Sequence, residues 1–169
     1  TIASSLDAIN VDLKAFRAET YRDVMGGRLE PVLDCLRALV AADIWLEVTT
    51  LVVPGMNEGA EELRQIASFI HDELGPTVPW HVSRFHGDYR MRDSVPTPTE
   101  AVTKAVKIGM DVGLKHVYSG NMPGRVDEST YCPGCEARVI HRQGFYVVDN
   151  RLSGGACPDC GEAIAGVWN

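Results

Sequence analysis

Hydrophobic positions along the chain change between two spacings, one typical of strands and the other typical of amphipathic helices. A strand is predicted where apolar residues alternate with polar ones or form short β-branched runs. These runs are residues 8–14, 46–53, 80–85 and 116–119. A helix is predicted where apolar residues recur three and four positions apart, as in residues 30–42, 57–74 and 98–112. The two kinds of element therefore alternate, starting with a strand.

The predicted helix ends carry capping signals. Asn57 is placed as the N-cap of the second helix, which Gly75-Pro76 ends. Residues 97–100, Thr-Pro-Thr-Glu, predict a capping box with proline in the first turn of the third helix. Cys35 and Met110 fall on the apolar stripes of the first and third helices, so we expect both in the core.

Strands that alternate with helices imply a parallel sheet with right-handed crossovers. The fold class is therefore α/β, either one half of a β/α barrel or a doubly wound sheet. A sheet that begins with residues 8–14 leaves the edge of that strand unpaired, although parallel sheets are normally covered on both faces. We therefore expect the missing partner to lie upstream of Thr1 and the chain to be a fragment.

Composition limits the classes of function. The 169 residues carry a formal net charge of −7, with 45% hydrophobic and 23% charged residues, as in ordinary globular domains. No nucleic-acid partner is expected, because a phosphate-binding surface needs clustered lysine and arginine. No apolar run is long enough to cross a bilayer and no signal peptide is recognisable. We therefore expect a cytoplasmic protein without a membrane partner.

Polar residues stand at the carboxyl ends of the predicted strands, the edge at which α/β proteins place their chemistry. Asp12 and Lys14 share one face at the end of the first strand, and His86 follows the third. Such a group suits an anionic substrate, since a lysine ammonium neutralises a carboxylate and an aspartate holds the lysine. Two other interpretations stay open: a surface ion pair beside a loop histidine, and a Schiff-base lysine.

Three longer motifs carry a family resemblance. They are Ile9-Asn10-Val11-Asp12-Leu13-Lys14, Glu47-Val48-Thr49-Thr50-Leu51-Val52-Val53-Pro54-Gly55-Met56-Asn57 and Trp80-His81-Val82-Ser83-Arg84-Phe85-His86. Three shorter stretches accompany them, Asp88-Tyr89-Arg90-Met91, Pro96-Thr97-Pro98 and Thr130-Tyr131-Cys132-Pro133-Gly134-Cys135. With these motifs the chain resembles radical S-adenosylmethionine (SAM) enzymes related to pyruvate formate-lyase activating enzyme. More narrowly, it resembles the AmmeMemoRadiSam system radical SAM enzymes.

The resemblance implies the second half of a partial, TIM-like β/α barrel over residues 1–128, and a role for several residues of it. Lys14 would bind the carboxylate of SAM, His86 would contact SAM from the far side of the cleft, and Asp12 would belong to the cation or SAM pocket. Val53 would pack on the adenine. Thr49 stands where the activating enzymes have a SAM-contacting arginine, and this departure leaves its role unassigned. No catalytic residue is implied in this chain.

The same resemblance implies a [4Fe–4S] cluster, which the family holds with a Cys-x3-Cys-x2-Cys loop that this sequence lacks. With the cluster supplied from outside the chain, the implied reaction is reductive cleavage of SAM to a 5′-deoxyadenosyl radical that takes hydrogen from a substrate. The substrate stays open between a protein, as for an activating enzyme, and a small molecule. The companion proteins of the AmmeMemoRadiSam system are expected partners. The chain alone is expected to be inactive.

Four of the five cysteines form two Cys-x2-Cys pairs: Cys132, Cys135, Cys157 and Cys160. The gap between the pairs is close to that of zinc ribbons, and the residues within it predict a hairpin around Gln143-Gly144. Four thiolates suit a tetrahedral Zn²⁺ with no open position, so residues 129–169 are predicted to form a structural zinc ribbon. Disulfides and an auxiliary iron–sulfur cluster stay open as alternatives.

A function of another class is also open. In it the chain is a non-catalytic module whose ribbon docks a protein partner, with the β/α part as scaffold. Iron content and SAM binding distinguish this module from the radical SAM enzyme. Trapping with borohydride would label Lys14 only in a Schiff-base lyase.

Overall fold

The computed structural model describes residues 5–122, 127–144 and 146–168, with the side chain of Arg90 left aside. The chain divides into two compact units, the first ending at Asn121 and the second starting at Met122. Each unit has its own sheet.

The first unit is built on a four-stranded parallel sheet. The strands are β1 (Ala8–Asp12), β2 (Trp45–Val52), β3 (Trp80–Arg84) and β4 (Val117–Gly120), hydrogen-bonded in that order. Every neighbouring pair is parallel, which confirms the parallel α/β sheet predicted from the sequence. Within the described residues β1 and β4 are the two edges, so these strands alone do not close the expected barrel.

The described residues form four α-helices: α1 (Ala18–Asp23), α2 (Leu29–Ala41), α3 (Ala60–Phe69) and α4 (Thr99–Val112). A π-helical turn, Ile70–Leu74, extends α3, and a 3₁₀ turn covers Tyr89–Met91. The helices α2, α3 and α4 follow the predicted pattern, whereas α1 was not predicted. In this part of the chain no helix is long and apolar enough to cross a membrane.

One face of the sheet is buried and forms the core. Along β2, buried and half-exposed residues alternate, as the two-residue period of a strand requires. Trp80 is fully buried, and its indole N–H donates a 2.9 Å hydrogen bond to the hydroxyl of Thr50. Helix α4 comes so close that a Cβ on Gly109 would lie 2.9 Å from a ring carbon of Trp80. Glycine is therefore needed where α4 crosses the sheet.

The opposite face of the sheet is polar and half-exposed, and we call it the open face. By register and alternation it carries Asn10, Asp12, Glu47, Thr49, His81, Ser83 and Tyr118. Because this face lies on the side away from the buried core, its side chains stay within reach of solvent or of a ligand.

Several predictions about the helices are wrong. Helix α3 begins three residues after the predicted cap, Asn57, and α4 begins without the capping box of residues 97–100. In both cases the polar side chain bonds to neighbouring strands instead. Cys35 is exposed and Met110 is 52% exposed, because each lies outside the buried part of its helical stripe.

The second unit contains a three-stranded antiparallel sheet of β5 (Thr130–Tyr131), β6 (Arg138–Gln143) and β7 (Tyr146–Asn150). Strands β6 and β7 form the predicted hairpin, and Phe145, between them, lies outside the described residues. A small core holds the unit together: Cys132, Val139, Ile140, Cys157 and Ile164. Two of the four paired cysteines therefore belong to this core.

Candidate functional site

The carboxyl ends of β1, β2 and β3 meet at one edge of the parallel sheet. Asp12 ends β1 in register with Thr49 of β2, which is in register with His81 of β3. Val53 directly follows β2, and His86 follows β3 by two residues. Since neighbouring strands lie about 4.8 Å apart, β1 and β3 are about 10 Å apart. The residues predicted to contact SAM thus lie on three adjacent strands or within two residues of their carboxyl ends.

Lys14 and Asp12 form an ion pair at this edge. Lys14 Nζ lies 2.9 Å from Asp12 Oδ2, and the two side chains are 39% and 52% exposed. A pair this open contributes about 0–1 kcal/mol to stability, because water competes for both charges. The ion pair therefore adds little to the stability of the fold, and both charges stay accessible to a ligand.

Asn57 joins the ends of β1 and β2. Its side-chain amide donates to the carbonyl oxygens of Lys14 and Leu51, and its Oδ1 accepts a 2.7 Å hydrogen bond from the N–H of Val53. Asn57 is 1% exposed, so none of these bonds competes with water. The sequence pattern offered only the local interpretation of Asn57 as a helix cap. The structure shows that it fixes the backbone at the carboxyl ends of β1 and β2, which carry Lys14 and Val53.

The segment after Lys14 is anchored by a buried carboxylate. Glu62 is 6% exposed, accepts a 2.8 Å hydrogen bond from the N–H of Phe16 and pairs with Arg17 Nε at 2.9 Å. The N–H of Lys14 itself donates to the hydroxyl of Tyr21, and burial raises the pKa of Tyr21. The backbone of Lys14 is therefore held in place while its ammonium group stays at the surface.

Thr97 joins the ends of β2 and β3, as Asn57 joins the ends of β1 and β2. Its hydroxyl donates a 2.6 Å hydrogen bond to the carbonyl of Val52 and accepts a 3.3 Å bond from the N–H of Phe85. The carbonyl of Thr97 accepts a 2.7 Å bond from Arg84 Nε. His86, directly after Phe85, is exposed. The loop that carries His86 is thus tied to the sheet at its base.

The other two residues that were predicted to contact SAM, Thr49 and Val53, also contact groups of the protein itself. The hydroxyl of Thr49 donates a 2.9 Å hydrogen bond to Oδ1 of Asn10 across β1 and β2. Val53 is 6% exposed, so most of its side chain belongs to the core below the edge. The structure therefore leaves Thr49 on the open face and offers little apolar surface at Val53.

Glu47 is the centre of a hydrogen-bond network on the open face. Its carboxylate lies 2.9 Å from His81 Nε2 and accepts a 3.3 Å bond from the indole N–H of Trp45, and its register partner Asn10 also favours the ionised form. The bond with His81 is the main cause that lowers the pKa of Glu47, against the opposing effect of desolvation. No sequence motif predicts this network, because only the register of β2 and β3 brings Glu47 and His81 together.

The cysteine sulfurs of the second unit form a compact set of four: Cys132, Cys135, Cys157 and Cys160. All four Sγ atoms lie within 4.8 Å of one another, with separations of 3.5 Å and 3.7 Å for two of the pairs. Zn–S bonds of about 2.3 Å give a tetrahedral site edges of about 3.8 Å. The four sulfurs therefore fit one mononuclear ion. Elsewhere in the described residues no group of three or more His, Cys, Asp or Glu is arranged to hold a metal.

Comparison with solved structures gives the class of fold. The chain is similar to a domain of pyruvate-formate lyase-activating enzyme from Bacteroides vulgatus, with a TM-score of 0.62 over 71% of each chain. The sequence identity is 16%, so the likeness shows a shared fold. The chain thus shares an α/β fold with that domain.

Among curated proteins, the chain is similar to the uncharacterized protein MJ0808 of Methanocaldococcus jannaschii, with 42% identity over 164 residues. The match covers 96% of this chain and 49% of that protein, so the chain spans about half the length of this relative. No family model matches the sequence.

Proposed function

We propose that this chain is the SAM-binding part of a radical SAM enzyme of the activating-enzyme type, within the AmmeMemoRadiSam group. The observation that carries the proposal is the exposed ion pair of Asp12 and Lys14 at the carboxyl edge of a parallel sheet. The shared fold with a domain of an activating enzyme supports it. The full activity belongs to a longer protein, because the chain spans about half of the relative described above.

The donors at the sheet edge suit the amino-acid end of SAM. The ammonium of Lys14 would neutralise the carboxylate, while Asp12 keeps it oriented or accepts from the amino group. His86 follows the third strand at the same edge, where an imidazole can donate or accept a hydrogen bond. The expected contact of Val53 with the adenine depends on the small exposed part of that side chain.

The described cysteines do not fit the [4Fe–4S] cluster of a radical SAM enzyme. Cys35 is exposed on α2, and the other four are gathered in the second unit. We therefore propose that the cluster ligands lie on a segment outside this chain. When bound there, the cluster would supply the electron that cleaves SAM. The residues described here would hold SAM and its charge, and the chain alone would show no turnover.

The proposal is tested by binding. We expect S-adenosylhomocysteine to bind the chain in calorimetry, and Lys14→Ala to weaken binding about tenfold, which corresponds to about 1.4 kcal/mol for the lost charge–charge contact. Lys107→Ala is the matched control, because Lys107 pairs with Asp111 on the exposed face of α4. Equal binding by the two variants would contradict the role of Lys14. In the longer protein, reconstituted with iron and sulfide, formation of 5′-deoxyadenosine from SAM tests the reaction class.

A second candidate function is a zinc ribbon that docks a protein partner. The observation that favours it is the apolar exposure of β7, where Tyr146, Val147 and Val148 are 80%, 58% and 53% exposed. Bound zinc without any binding of S-adenosylhomocysteine would support this module over the enzyme. The Schiff-base interpretation has its own test, because borohydride trapping would label Lys14 only in a Schiff-base lyase.

A further inference from the structure

The network around Glu47 fixes the direction of each hydrogen bond on the open face. An ionised carboxylate only accepts hydrogen bonds, so every polar neighbour has to turn a donor towards it. Asn10 therefore presents its NH₂ group to Glu47, and a neutral His81 presents an N–H at Nε2. The assignment of both groups follows from the network, as it must for amides and imidazoles.

These orientations determine which hydrogen-bond acceptors remain available to a ligand. With the NH₂ group of Asn10 turned to Glu47, its Oδ1 faces Thr49, which donates its one hydroxyl proton across 2.9 Å. The lone pairs of Thr49 Oγ1 are left as acceptors. In the neutral His81 ring the second nitrogen, Nδ1, is also an acceptor, and no described residue bonds to it.

The two residues that carry these acceptors are neighbours across β2 and β3. Thr49 and His81 are register partners on β2 and β3, so their Cα atoms are about 5 Å apart and their side chains share the open face. The side chain of His81 is 31% exposed, and Tyr118 stacks against it with ring centroids 5.3 Å apart, which limits rotation of the imidazole. The imidazole is therefore held in place by its two neighbours, while part of the His81 side chain stays exposed.

The charges around the acceptor pair favour a cation. Asp12 has Lys14 as its counter-ion, whereas Glu47 has no lysine or arginine partner among the described residues. A metal ion is disfavoured, because among the described residues only the four cysteines form a metal-ligand set. We infer that Thr49 Oγ1 and His81 Nδ1 form a subsite for a cationic group with two N–H donors, such as an amidinium or guanidinium group. This inference does not depend on SAM binding.

The test uses methylguanidinium as the probe and the ¹⁵N-labelled full chain at about pH 8, where an ordinary imidazole is neutral. Long-range ¹H–¹⁵N spectra report the two imidazole nitrogens separately. We expect saturable shifts of the Nδ1 signal of His81 with methylguanidinium and none with acetate. Absence of a saturable shift, or a shift with acetate alone, would overturn the inference.

Two variants examine the network. Glu47→Gln keeps the shape but adds a donor, which frees Asn10 and His81 to turn, so we expect binding of methylguanidinium to weaken about tenfold. Thr49→Val removes one acceptor at constant shape and is expected to weaken it as well. Glu100→Gln, an exposed carboxylate on α4, is the matched control and should bind unchanged. Unchanged binding by Thr49→Val would contradict the inference even if Glu47→Gln failed to fold.

The test of this subsite can be distinguished from the test of the proposed function. S-adenosylhomocysteine is titrated into the same samples. If methylguanidinium binds at His81 and S-adenosylhomocysteine does not bind, the proposed function fails and the subsite stands. The reverse result removes the subsite and leaves the proposed function intact.

Discussion

The side-chain amide of Asn57 donates a 2.6 Å hydrogen bond to the backbone carbonyl of Lys14, which lies 43 positions earlier in the chain. The end of β1 is therefore held by a residue that follows β2. The same side chain also bonds to Leu51 and Val53. One buried asparagine therefore fixes the positions of the ends of β1 and β2 relative to each other. The position of Lys14 beside the second strand depends on this arrangement.

We predict that Asn57→Ala destabilises the first unit by about 3 kcal/mol, because two buried carbonyls and one buried N–H lose their partner. Urea denaturation followed by tryptophan fluorescence measures the change. Gln65→Ala, at an exposed position of α3, should stay within about 0.5 kcal/mol of the wild type. A loss below about 1 kcal/mol for Asn57→Ala would show that water replaces the missing amide.

The contrast between Asn57 and Glu47 shows which parts of the structure the sequence could predict. The positions of the strands in the sequence follow from hydrophobic spacing. The placing of Asp12, Lys14 and His86 at one edge follows from the alternation of strands with helices, which implies parallel strands. Neither inference needs the register of one strand against another. The bonds of Asn57 and the pairing of Glu47 with His81 join residues far apart in the chain, so they depend on register.

The helix errors have a related physical cause. Asn57 and Thr97 are good capping residues by local preference, but each satisfies several buried backbone groups of the sheet, which outweighs one cap. Cys35 and Met110 were placed by periodicity alone. Periodicity shows on which side of a helix the apolar stripe lies. It does not show how much of that stripe the neighbouring elements cover, and both residues lie in the uncovered part.

The crossing of α4 over Trp80 gives a prediction about packing. We expect Gly109→Ala to destabilise the chain by about 1–3 kcal/mol, because the added methyl group would lie 2.9 Å from the rigid indole ring. Gly27→Ala is the matched control. The nearest atom to its added methyl group is 3.9 Å away on Tyr21, and the backbone of Gly27 lies outside the left-handed region. Denaturation curves in which both variants behave alike would contradict the close crossing.

His116 gives a prediction about pH. It is 4% exposed, and its Nε2 atom has no hydrogen-bond partner among the described residues. Burial lowers the pKa of His116, and the charge of Lys115 adds to the effect. The unfolded chain therefore takes up a proton near pH 6.5 while the folded chain does not. The contribution of His116 is complete above about pH 6.5 and is lost as the pH falls below it.

His116→Phe removes this titration. We expect the fall in unfolding free energy between about pH 7.5 and pH 5.5 to become smaller in this variant. Glu47 does not interfere, because its pKa is lowered and its contribution is lost only below about pH 4.3. His86→Gln, at an exposed position, should keep the slope of the wild type. A slope that survives in His116→Phe would assign the pH dependence to another group.

The four-cysteine set gives a prediction about metal content. Sulfur separations of 3.5 Å and 3.7 Å match a mononuclear tetrahedral ion, so we expect one Zn²⁺ per chain by atomic emission spectroscopy. Cys135→Ser is the informative variant, because Cys135 is exposed whereas Cys132 and Cys157 also belong to the small core. Loss of metal in Cys135→Ser can then be separated from loss of packing. Cys35→Ser, outside the set, should retain the full zinc content.

Removal of the metal should act on the second unit first. With five buried residues in its core, this unit has little apolar area to stabilise it, and structural zinc is commonly coupled to folding. We expect a chelator to abolish hydrogen-exchange protection in β6 and β7 while β2 and β3 stay protected. Iron with inorganic sulfide in anaerobically prepared protein would contradict the mononuclear site, because a cluster spreads its thiolates over several irons. Protection of β6 and β7 that persists without metal would show that hydrophobic packing alone holds the hairpin.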